Sequence, residues 1–362
     1  MTGVAIIGVG QTVHADARPD VDIAELVLEA VQEALDDAGV GLGDIENSVT
    51  AVMDFWDGRT IANMSVAEVV GSYRKSEART CADAIQAMLY MWSRIATDSF
   101  RIGLVTTHCK ESAGNVAGIE NAALDPFNQR RLGFDGSTVE GLIVRTLIES
   151  KALTPEQAAE VVVEARRRGS AHPKLDPLAR VSVDDVLGSE MIADPIRALD
   201  RAPNRDGAAA FVFVAEDLVS DLGADPVWVK GASTVTGPYW SDAELGDTST
   251  LDESIKRATA QAGWGSDSPD LVEMSAQFSY QHLRFAPRFG LDPLAPNLNT
   301  SGGWMAGNPF VVSGASRVAE CVHQIRGDAG GRQLDGVERA LAHGIHGLAA
   351  QTHSVLALEG SS

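Results

Sequence analysis

Cysteine is scarce in this sequence, and its three cysteines, Cys81, Cys109 and Cys321, lie far apart. Such spacing excludes a disulfide framework and a C-x-x-C zinc site, and it favours a reducing compartment. No run of about 18 apolar residues could span a membrane, and residues 1–13 lack the basic start of a secretory signal. These absences predict a cytoplasmic protein with no membrane partner.

Basic residues are also few. The chain carries 29 Lys and Arg against 50 Asp and Glu, which gives a formal net charge of −21. Because nucleic acids and anionic membranes attract positive surfaces, this excess of acid argues against both as partners. Hydrophobic residues make up 44% of the 362 positions, enough for a large core, and this length favours about two globular units.

Hydrophobic periodicity predicts a repeated α/β unit. Short apolar runs at residues 4–8 and 49–53 are typical of buried strands, and between them apolar residues recur at helical spacing from Asp22 to Ala38. The same order of strand, helix and strand returns later in the chain, at residues 227–231, 251–262 and 271–274. The repeat predicts mixed sheets sandwiched between helices.

A second pair of segments supports the duplication. Helical residues 81–96 lead into a strand at 102–106, and helical residues 314–325 lead into a strand at 337–342. Because each half of the chain contains both pairs in the same order, the sequence predicts two similar halves.

The stretch between the two halves looks inserted. Residues 112–195 carry loops marked by Pro, Asn and Gly around two helical runs, at 138–151 and 155–168. We therefore predict an N-terminal half at 1–225, which includes this inserted subdomain, and a C-terminal half at 226–362.

Most searches for motifs are negative. Gly8 and Gly10 follow the first predicted strand, but the third glycine of a dinucleotide fingerprint is missing, so we interpret them as turn glycines. Neither a phosphate-binding P-loop nor a G-x-S-x-G nucleophile elbow occurs. His343 and His346 have H-x-x-H spacing without an acidic ligand nearby, so no metal site is predicted.

Two stretches of the sequence resemble signatures of the thiolase superfamily. Residues 202–210 read APNRDGAAA, and residues 299–314 read NTSGGWMAGNPFVVSG. They are similar to the P-x-S-D-G-A-A-A and N-P-S-G-G-x-x-x-x-G-H-P-x-G-A-x-G patterns of sterol-carrier-type thiolases and the related steroid side-chain aldolases. The resemblance covers nearly the whole chain and implies an α/β fold, a thiolase-like duplicated αβαβα sandwich. It also implies a CoA thioester as substrate and no covalently bound cofactor.

The resemblance places a nucleophile at Cys81. In the family, a cysteine at a helix start forms an acyl-enzyme, while a histidine and a second cysteine move protons. Cys81 begins the predicted helix at 81–96, where the helix dipole would favour the thiolate. Its surroundings, TCADAIQA, have Ala84 where the family has glycine. A packed and inert cysteine is the alternative.

The other catalytic positions depart from the family pattern. Asn308 stands where the G-H-P histidine is expected, and asparagine can donate to an oxyanion but cannot take a proton near neutral pH. The H-D-C-F segment becomes SAQF at residues 275–278, and the C-terminal C-x-G loop becomes GIH at residues 344–346. The related aldolases use tyrosines at the positions of Asn308 and Ser275, and this chain has no tyrosine at either.

The candidate catalytic residues are therefore Cys81 as nucleophile, His346 as the base facing it, and Asn308 as oxyanion donor. A structural histidine in a turn is the alternative for His346. The candidate substrate contacts lie in the aligned family loops and are Ser275, Gln277, Gly302, Gly303 and Gly344. Two other sets stay open between function and packing or solvation: Tyr280 and His282 as proton carriers, and Arg166, Arg167, Arg168 and Lys174 as contacts for CoA phosphates.

Two functions fit a retained glycine scaffold with altered acid and base groups. The first is a thiolase-fold subunit of an enzyme, of thiolase or retro-aldolase type, that cleaves carbon–carbon bonds of CoA thioesters in lipid or steroid side-chain catabolism. The second is a catalytically impaired structural partner of a paralogous thiolase or aldolase, which Trp304 favours because it fills space in the glycine-rich loop.

The resemblance also implies partners. They are acyl-CoA, a second copy or a paralogous thiolase-like chain, and a small OB-fold protein. The family pairs its N-terminal halves through an edge strand, and the apolar residues 102–107 are the predicted edge.

Overall fold

Strands and helices alternate along most of the chain, as the periodicity predicts. The computed structural model describes residues 2–265 and 268–361. The strands are β1 Val4–Gln11, β2 Asn47–Ala51, β3 Ser76–Thr80, β4 Ile102–Lys110, β5 Met191–Ala193, β6 Ile196–Arg197, β7 Asp206–Ala215, β8 Val227–Thr236, β9 Leu271–Met274, β10 Arg339–His346 and β11 Thr352–Glu359. The α-helices are α1 Ile23–Ala38, α2 Asp54–Asp57, α3 Ala84–Ala96, α4 Val116–Ala122, α5 Gly136–Glu149, α6 Pro155–Gly169, α7 Val183–Gly188, α8 Glu216–Leu222, α9 Ser249–Ala262, α10 Ser279–Phe285 and α11 Ser313–Arg326.

One mixed sheet runs through the described residues in the order β3-β2-β4-β7-β1-β8-β11-β10-β9, and β5 pairs separately with β6. The order β2-β4-β7-β1 is matched by β9-β10-β11-β8. Each set has one parallel pair followed by two antiparallel pairs. The sets join where β1 and β8 pair antiparallel, with Ala5 opposite Trp228 and Ile6 opposite Val227. The duplicated order expected from the sequence is therefore present in the sheet.

Helices pack on both faces of these strands. Helices α3 and α11 contact each other and strands of both sets, so they form a middle layer. Helix α1 packs on β1, β4 and β7 on one outer side, and α9 packs on β8 and β11 on the other. The result is an αβαβα sandwich. The predicted fold class is confirmed.

Glycines allow the two outer helices to approach the sheet closely. A Cβ atom on Gly10 would lie 2.0 Å from the carbonyl oxygen of Ala30 in α1. A Cβ atom on Gly231 would likewise lie 2.0 Å from the carbonyl oxygen of Ala258 in α9. The interpretation of Gly8 and Gly10 as turn glycines is wrong, because both lie inside β1 and face α1.

Two local predictions near Cys81 are also wrong. Helix α3 begins at Ala84, and its N-cap is Asp83, whose carboxylate accepts a hydrogen bond from the backbone N–H of Ile85 at 3.0 Å. Cys81 therefore lies outside the helix. The strand predicted at 102–106 is present as β4, but it lies between β2 and β7, so it is not an edge. The edge on this side is β3, which the sequence analysis missed.

The inserted stretch packs on elements of the C-terminal half. Residues 112–195 contain α4, α5, α6 and α7, and the two helices expected there are present as α5 and α6. Helix α6 packs against α10 and against the short turn Trp304–Ala306 of the glycine-rich signature. Among the described residues, none of the helices has the length and apolar character needed to cross a membrane.

Candidate active site

A pocket of about 220 Å³ opens between α4 of the inserted stretch and the end of β10. Its wall is mainly apolar and includes Trp56, whose ring stacks on that of Phe310 with a centroid separation of 4.9 Å. Glu120, Gln277 and His346 are among its polar lining residues. Two of the residues singled out from the sequence, Gln277 and His346, therefore come together in one cavity.

His346 is a pocket residue with the chemistry of a base. It is the last residue of β10 and is half-buried. Burial lowers its pKa below the usual value, so the imidazole is neutral at neutral pH. Within the described residues its side chain makes no hydrogen bond to another group, so its ring nitrogens are available to a ligand. A neutral and unengaged imidazole can accept a proton from a bound substrate.

Glu120 is a pocket residue that the sequence analysis missed. Its carboxylate accepts hydrogen bonds from Arg201 at 2.9 Å, from the backbone N–H of Gly136 at 2.9 Å and from the side-chain amide of Gln277 at 3.3 Å. These partners hold Glu120 as an ion-paired carboxylate that orients Gln277. No motif surrounds Glu120 in the sequence, so only the fold could reveal it.

Asn308 lies behind the pocket in the core. Its side-chain amide donates to the carbonyl oxygen of Gly303 at 2.9 Å, and its Oδ1 lies 3.2 Å from Nδ1 of His14, which donates to it. Burial lowers the pKa of His14 to about 3, so that ring is neutral. Asn308 is thus buried and engaged on both sides, and it is not among the residues that line the pocket.

Cys81 lies apart from the pocket lining. It is exposed in the short link between β3 and α3, whereas Cys109 and Cys321 are buried. The structure therefore does not bring Cys81, His346 and Asn308 together around one cavity.

The thiols should differ sharply in reactivity. We expect iodoacetamide to label Cys81 in the native chain while Cys109 and Cys321 stay unmodified, because burial excludes the reagent from both and raises their pKa. Peptide mass mapping after a short incubation measures this. Labelling of all three under denaturing conditions is the control, and native labelling at Cys109 before Cys81 would contradict the described burial.

Several of the aligned family segments meet at the start of α11. The hydroxyl of Ser275 lies 2.9 Å from that of Ser313, and the backbone N–H of Ser275 donates to the carbonyl oxygen of His343 at 3.1 Å. The backbone N–H of Gly314 donates to Asp83 at 2.9 Å. Ser275 is fully buried there, so it faces neighbouring protein and not the pocket.

The signature glycines Gly302 and Gly303 serve a tight turn. Both have positive φ, at 89° and 68°, which favours glycine. A Cβ on Gly302 would lie 2.5 Å from the carbonyl oxygen of Ala165 in α6, and one on Gly303 would lie 2.6 Å from the amide nitrogen of Asn299. The turn packs against α6, and neither glycine lines the pocket.

Tyr280 and His282 lie in the core on α10. Burial raises the pKa of Tyr280 and lowers that of His282 to about 4, and Nε2 of His282 donates to the carbonyl oxygen of Pro293 at 2.8 Å. His343 pairs with His353, Nε2 to Nδ1 at 2.9 Å, and does not join His346. Residues 2–265 and 268–361 hold no group of three His, Cys, Asp or Glu arranged to bind a metal ion.

The basic stretch expected to meet CoA phosphates is largely occupied by neighbouring protein groups. Arg167 and Arg168 both pair with Glu164, and Lys174 pairs with Glu33. Arg168 also donates to carbonyl oxygens in the segment before the glycine-rich signature. None of the four basic side chains lines the pocket that contains His346.

Comparison with known proteins yields relatives of two kinds. The family described as "Thiolase C-terminal domain-like" matches residues 295–359. An acetyl-CoA acetyltransferase of Methanothermobacter thermautotrophicus is 28% identical over 96% of this chain and 97% of its own length. A 17-hydroxy-3-oxo-4-pregnene-20-carboxyl-CoA lyase of Mycobacterium tuberculosis is 25% identical over 65% of this chain and 63% of its own length.

A solved structure shares the fold over nearly the full length. The structure described as "Ltp2-ChsH2(DUF35) aldolase" superposes with a TM-score of 0.84 and covers 99% of this chain and 98% of its own. The sequence identity is 20%, so this likeness concerns the fold.

Proposed function

The chain belongs to the thiolase superfamily, as its signatures predict, and we propose that it is the thiolase-fold subunit of an enzyme that cleaves a carbon–carbon bond of an acyl-CoA by retro-aldol chemistry. The observation that carries this proposal is the pocket, where a neutral and unengaged His346 faces an apolar cavity. Similarity to a CoA lyase named for a steroid side chain supports the reaction class.

The reaction requires one base and a cavity that excludes water. His346 takes the proton from the β-hydroxyl group of the substrate, and the electron pair of that O–H bond forms the new carbonyl. The bond between the α and β carbons breaks, and its electrons pass to the thioester as an enolate. The protonated His346 then returns the proton to the α carbon. One β-hydroxyacyl-CoA gives one carbonyl compound and one shortened acyl-CoA, with no co-reactant.

Thiolysis needs groups that this pocket lacks. It uses free CoA as a second substrate and a cysteine that carries the acyl group. Cys81 is exposed outside the pocket, and Gln277 and Gly344 stand where the family has the cysteines of the H-D-C-F segment and the C-x-G loop. Retro-aldol cleavage requires neither group, and we therefore favour it over thiolysis.

The test is an assay of the chain co-expressed with the partners that the resemblance implies, a paralogous thiolase-like chain and a small OB-fold protein. The probe is 17-hydroxy-3-oxo-4-pregnene-20-carboxyl-CoA, and mass spectrometry follows the ketone and the shortened acyl-CoA. We expect both products to form at the same rate with or without free CoA. Products that appear only when free CoA is added would mean thiolysis and would refute the proposal.

A structural role in a complex is the second candidate. Two observations favour it: the amide of Asn308 is engaged by its neighbours, and Trp304 is buried with its ring edge-on to Phe310 at 5.5 Å. Under this alternative, substitutions in the pocket leave turnover of the assembled complex unchanged.

We propose that a second thiolase-fold chain, identical or paralogous, pairs along β3. The other end of the sheet is closed, because β9 exchanges hydrogen bonds with the segment 297–299 through Val272. On β3, in contrast, none of the described segments covers the outer backbone edge. Apolar side chains are exposed beside it, at Phe55, Met64 and Tyr73. An open strand edge with exposed apolar neighbours favours association.

Substitution of Met64 by aspartate should weaken this association. The segment that carries Met64 is joined to β3 by a hydrogen bond from the side-chain amide of Asn63 to Glu77, so a charge there falls beside the proposed interface. Light scattering at micromolar concentration, on the chain alone and with a paralogue, should show a shift toward the monomer. Phe127→Asp, at another exposed apolar residue in the inserted stretch, is the control. A wild-type chain that stays monomeric in both samples would refute the interface.

A further inference from the structure

We infer that the carboxylate of Asp83 is a latch that joins the two halves of the sandwich and positions the link that carries Cys81 and the end of β10 that carries His346. It is a positioning residue, since it does not line the pocket. The part of this inference that concerns catalysis rests on the proposed function, while the latch itself does not.

Asp83 caps two helices at once. Its Oδ1 accepts a hydrogen bond from the backbone N–H of Ile85 at 3.0 Å, in the first turn of α3. Its Oδ2 accepts one from the backbone N–H of Gly314 at 2.9 Å, in the first turn of α11. These two helices form the middle layer, and Asp83 and Gly314 are separated by 231 positions in the sequence. One carboxylate thus satisfies backbone donors in both halves.

Two glycines, one of them in the glycine-rich signature, make room for this carboxylate. A Cβ on Gly314 would lie 2.0 Å from Oδ1 of Asp83, and a Cβ on Gly344 would lie 2.1 Å from the same atom. Any side chain at either position would collide with the latch. Gly344 was expected to contact substrate, and the geometry gives it this different role.

The latch lies next to both candidate catalytic segments. Cys81 precedes Asp83 by two residues, and His346 follows Gly344 by two residues on β10. Asp83 is fully buried, and burial raises its pKa to about 7, against the opposing effects of the backbone N–H donors and of Arg317 on α11. The ionised carboxylate accepts both hydrogen bonds, whereas protonation converts one oxygen into a donor that faces an N–H group.

Hydrogen exchange tests the latch without any assay of activity. In Asp83→Asn only the amide oxygen can accept, so one of the two helices loses its cap, and residues at the start of either α3 or α11 should exchange at least about ten-fold faster than in the wild type. The control is Asp22→Asn, because Asp22 caps α1 alone through the N–H of Glu25 at 2.8 Å. Its effect should stay within the first turn of α1. Wild-type protection at the starts of both α3 and α11 in Asp83→Asn would overturn the latch.

A second variant separates the latch from general unfolding. In Asp83→Ser the shorter hydroxyl can cap α3 but cannot also reach Gly314, so α3 should stay protected while the start of α11 is released. Equal loss of protection in both helices would contradict a two-sided cap.

The positioning role is tested on the assembled enzyme. Asp83→Ser should lower kcat by roughly ten- to hundred-fold with KM changed less than two-fold, because the wall of the pocket stays intact while the base is misplaced. Asp22→Asn should leave both constants unchanged. An unchanged kcat in a variant whose α11 start is released would overturn the positioning role. If the wild type itself is inactive, the proposed function fails, and hydrogen exchange still decides the latch.

Discussion

Replacement of His346 by glutamine should lower kcat/KM of the assembled enzyme by about 100-fold, which corresponds to roughly 2.7 kcal/mol. Glutamine keeps the polarity and much of the volume of the side chain but cannot accept the hydroxyl proton. Burial lowers the pKa of His346 below the ordinary histidine value of about 6.5, so the imidazole is still unprotonated at that pH. Activity of the wild type should therefore fall only at a pH below that value, as the ring becomes protonated.

Two further variants are the controls for the His346→Gln result. His323→Gln removes a half-buried histidine on α11, outside the pocket and paired with Asp328, and should leave kcat/KM unchanged. Cys81→Ser should keep activity within a few-fold, since retro-aldol cleavage forms no acyl-enzyme. A 100-fold loss in Cys81→Ser with little effect in His346→Gln would restore the acyl-enzyme route. Full activity in both would favour the structural-partner alternative.

The sequence predicted the elements whose hydrophobic pattern is strong. Helix α1 has an uninterrupted apolar stripe, and it is present in the structure at Ile23–Ala38, with Asp22 as its N-cap and Gly39 as its C-cap. The strand at 271–274 has the predicted bounds. Duplication was predictable too, because the same periodicities recur in the same order in both halves.

The edge of the sheet was not predictable from apolar patterning. Strand β3 reads SEART, and its Glu77 and Arg79 give it the composition of a loop. Because β3 was missed, β4 looked like the outermost strand. Polar side chains are tolerated in β3, since only one side of its backbone is paired within the part of the chain that the structure describes.

The candidate site was predicted only in part for a related reason. Signatures align residues along the chain, but they do not say which side chains point into a cavity. Asn308 and Ser275 occupy family positions yet face the core, whereas Glu120 has no signature and lines the pocket. Asp83 carried a readable signal, an acidic residue just before an apolar helix, and its second partner in α11 could only come from the fold.

Arg317→Met should destabilise the protein by about 3 to 5 kcal/mol, because it leaves a buried carboxylate without its cation. Arg317 on α11 is 1% exposed, and its Nη1 lies 3.0 Å from Oε2 of Glu273 on β9, which is fully buried. Glu273 also accepts from the backbone N–H and the hydroxyl of Ser301. Urea unfolding at pH 8 measures the loss. Arg167→Met, at an exposed i,i+3 pair with Glu164, is the control and should cost less than about 1 kcal/mol.

The pH dependence of the unfolding free energy lost in Arg317→Met identifies the cause of the loss. Burial raises the pKa of Glu273, and Arg317 opposes that rise in the wild type, so the pKa in the variant should be higher still. A carboxyl with a raised folded pKa costs stability above that pKa, and the cost is relieved as pH falls toward the unfolded value of about 4.3. The difference in unfolding free energy between Arg317→Met and the wild type should therefore shrink between pH 8 and pH 5.5.

Adding Glu273→Gln to Arg317→Met should recover part of the loss at pH 8, since the amide keeps an acceptor for Ser301 without a buried charge. A deficit that is constant with pH and unaffected by Glu273→Gln would show that lost packing around the Arg317 side chain, and not an unpaired charge, causes the destabilisation.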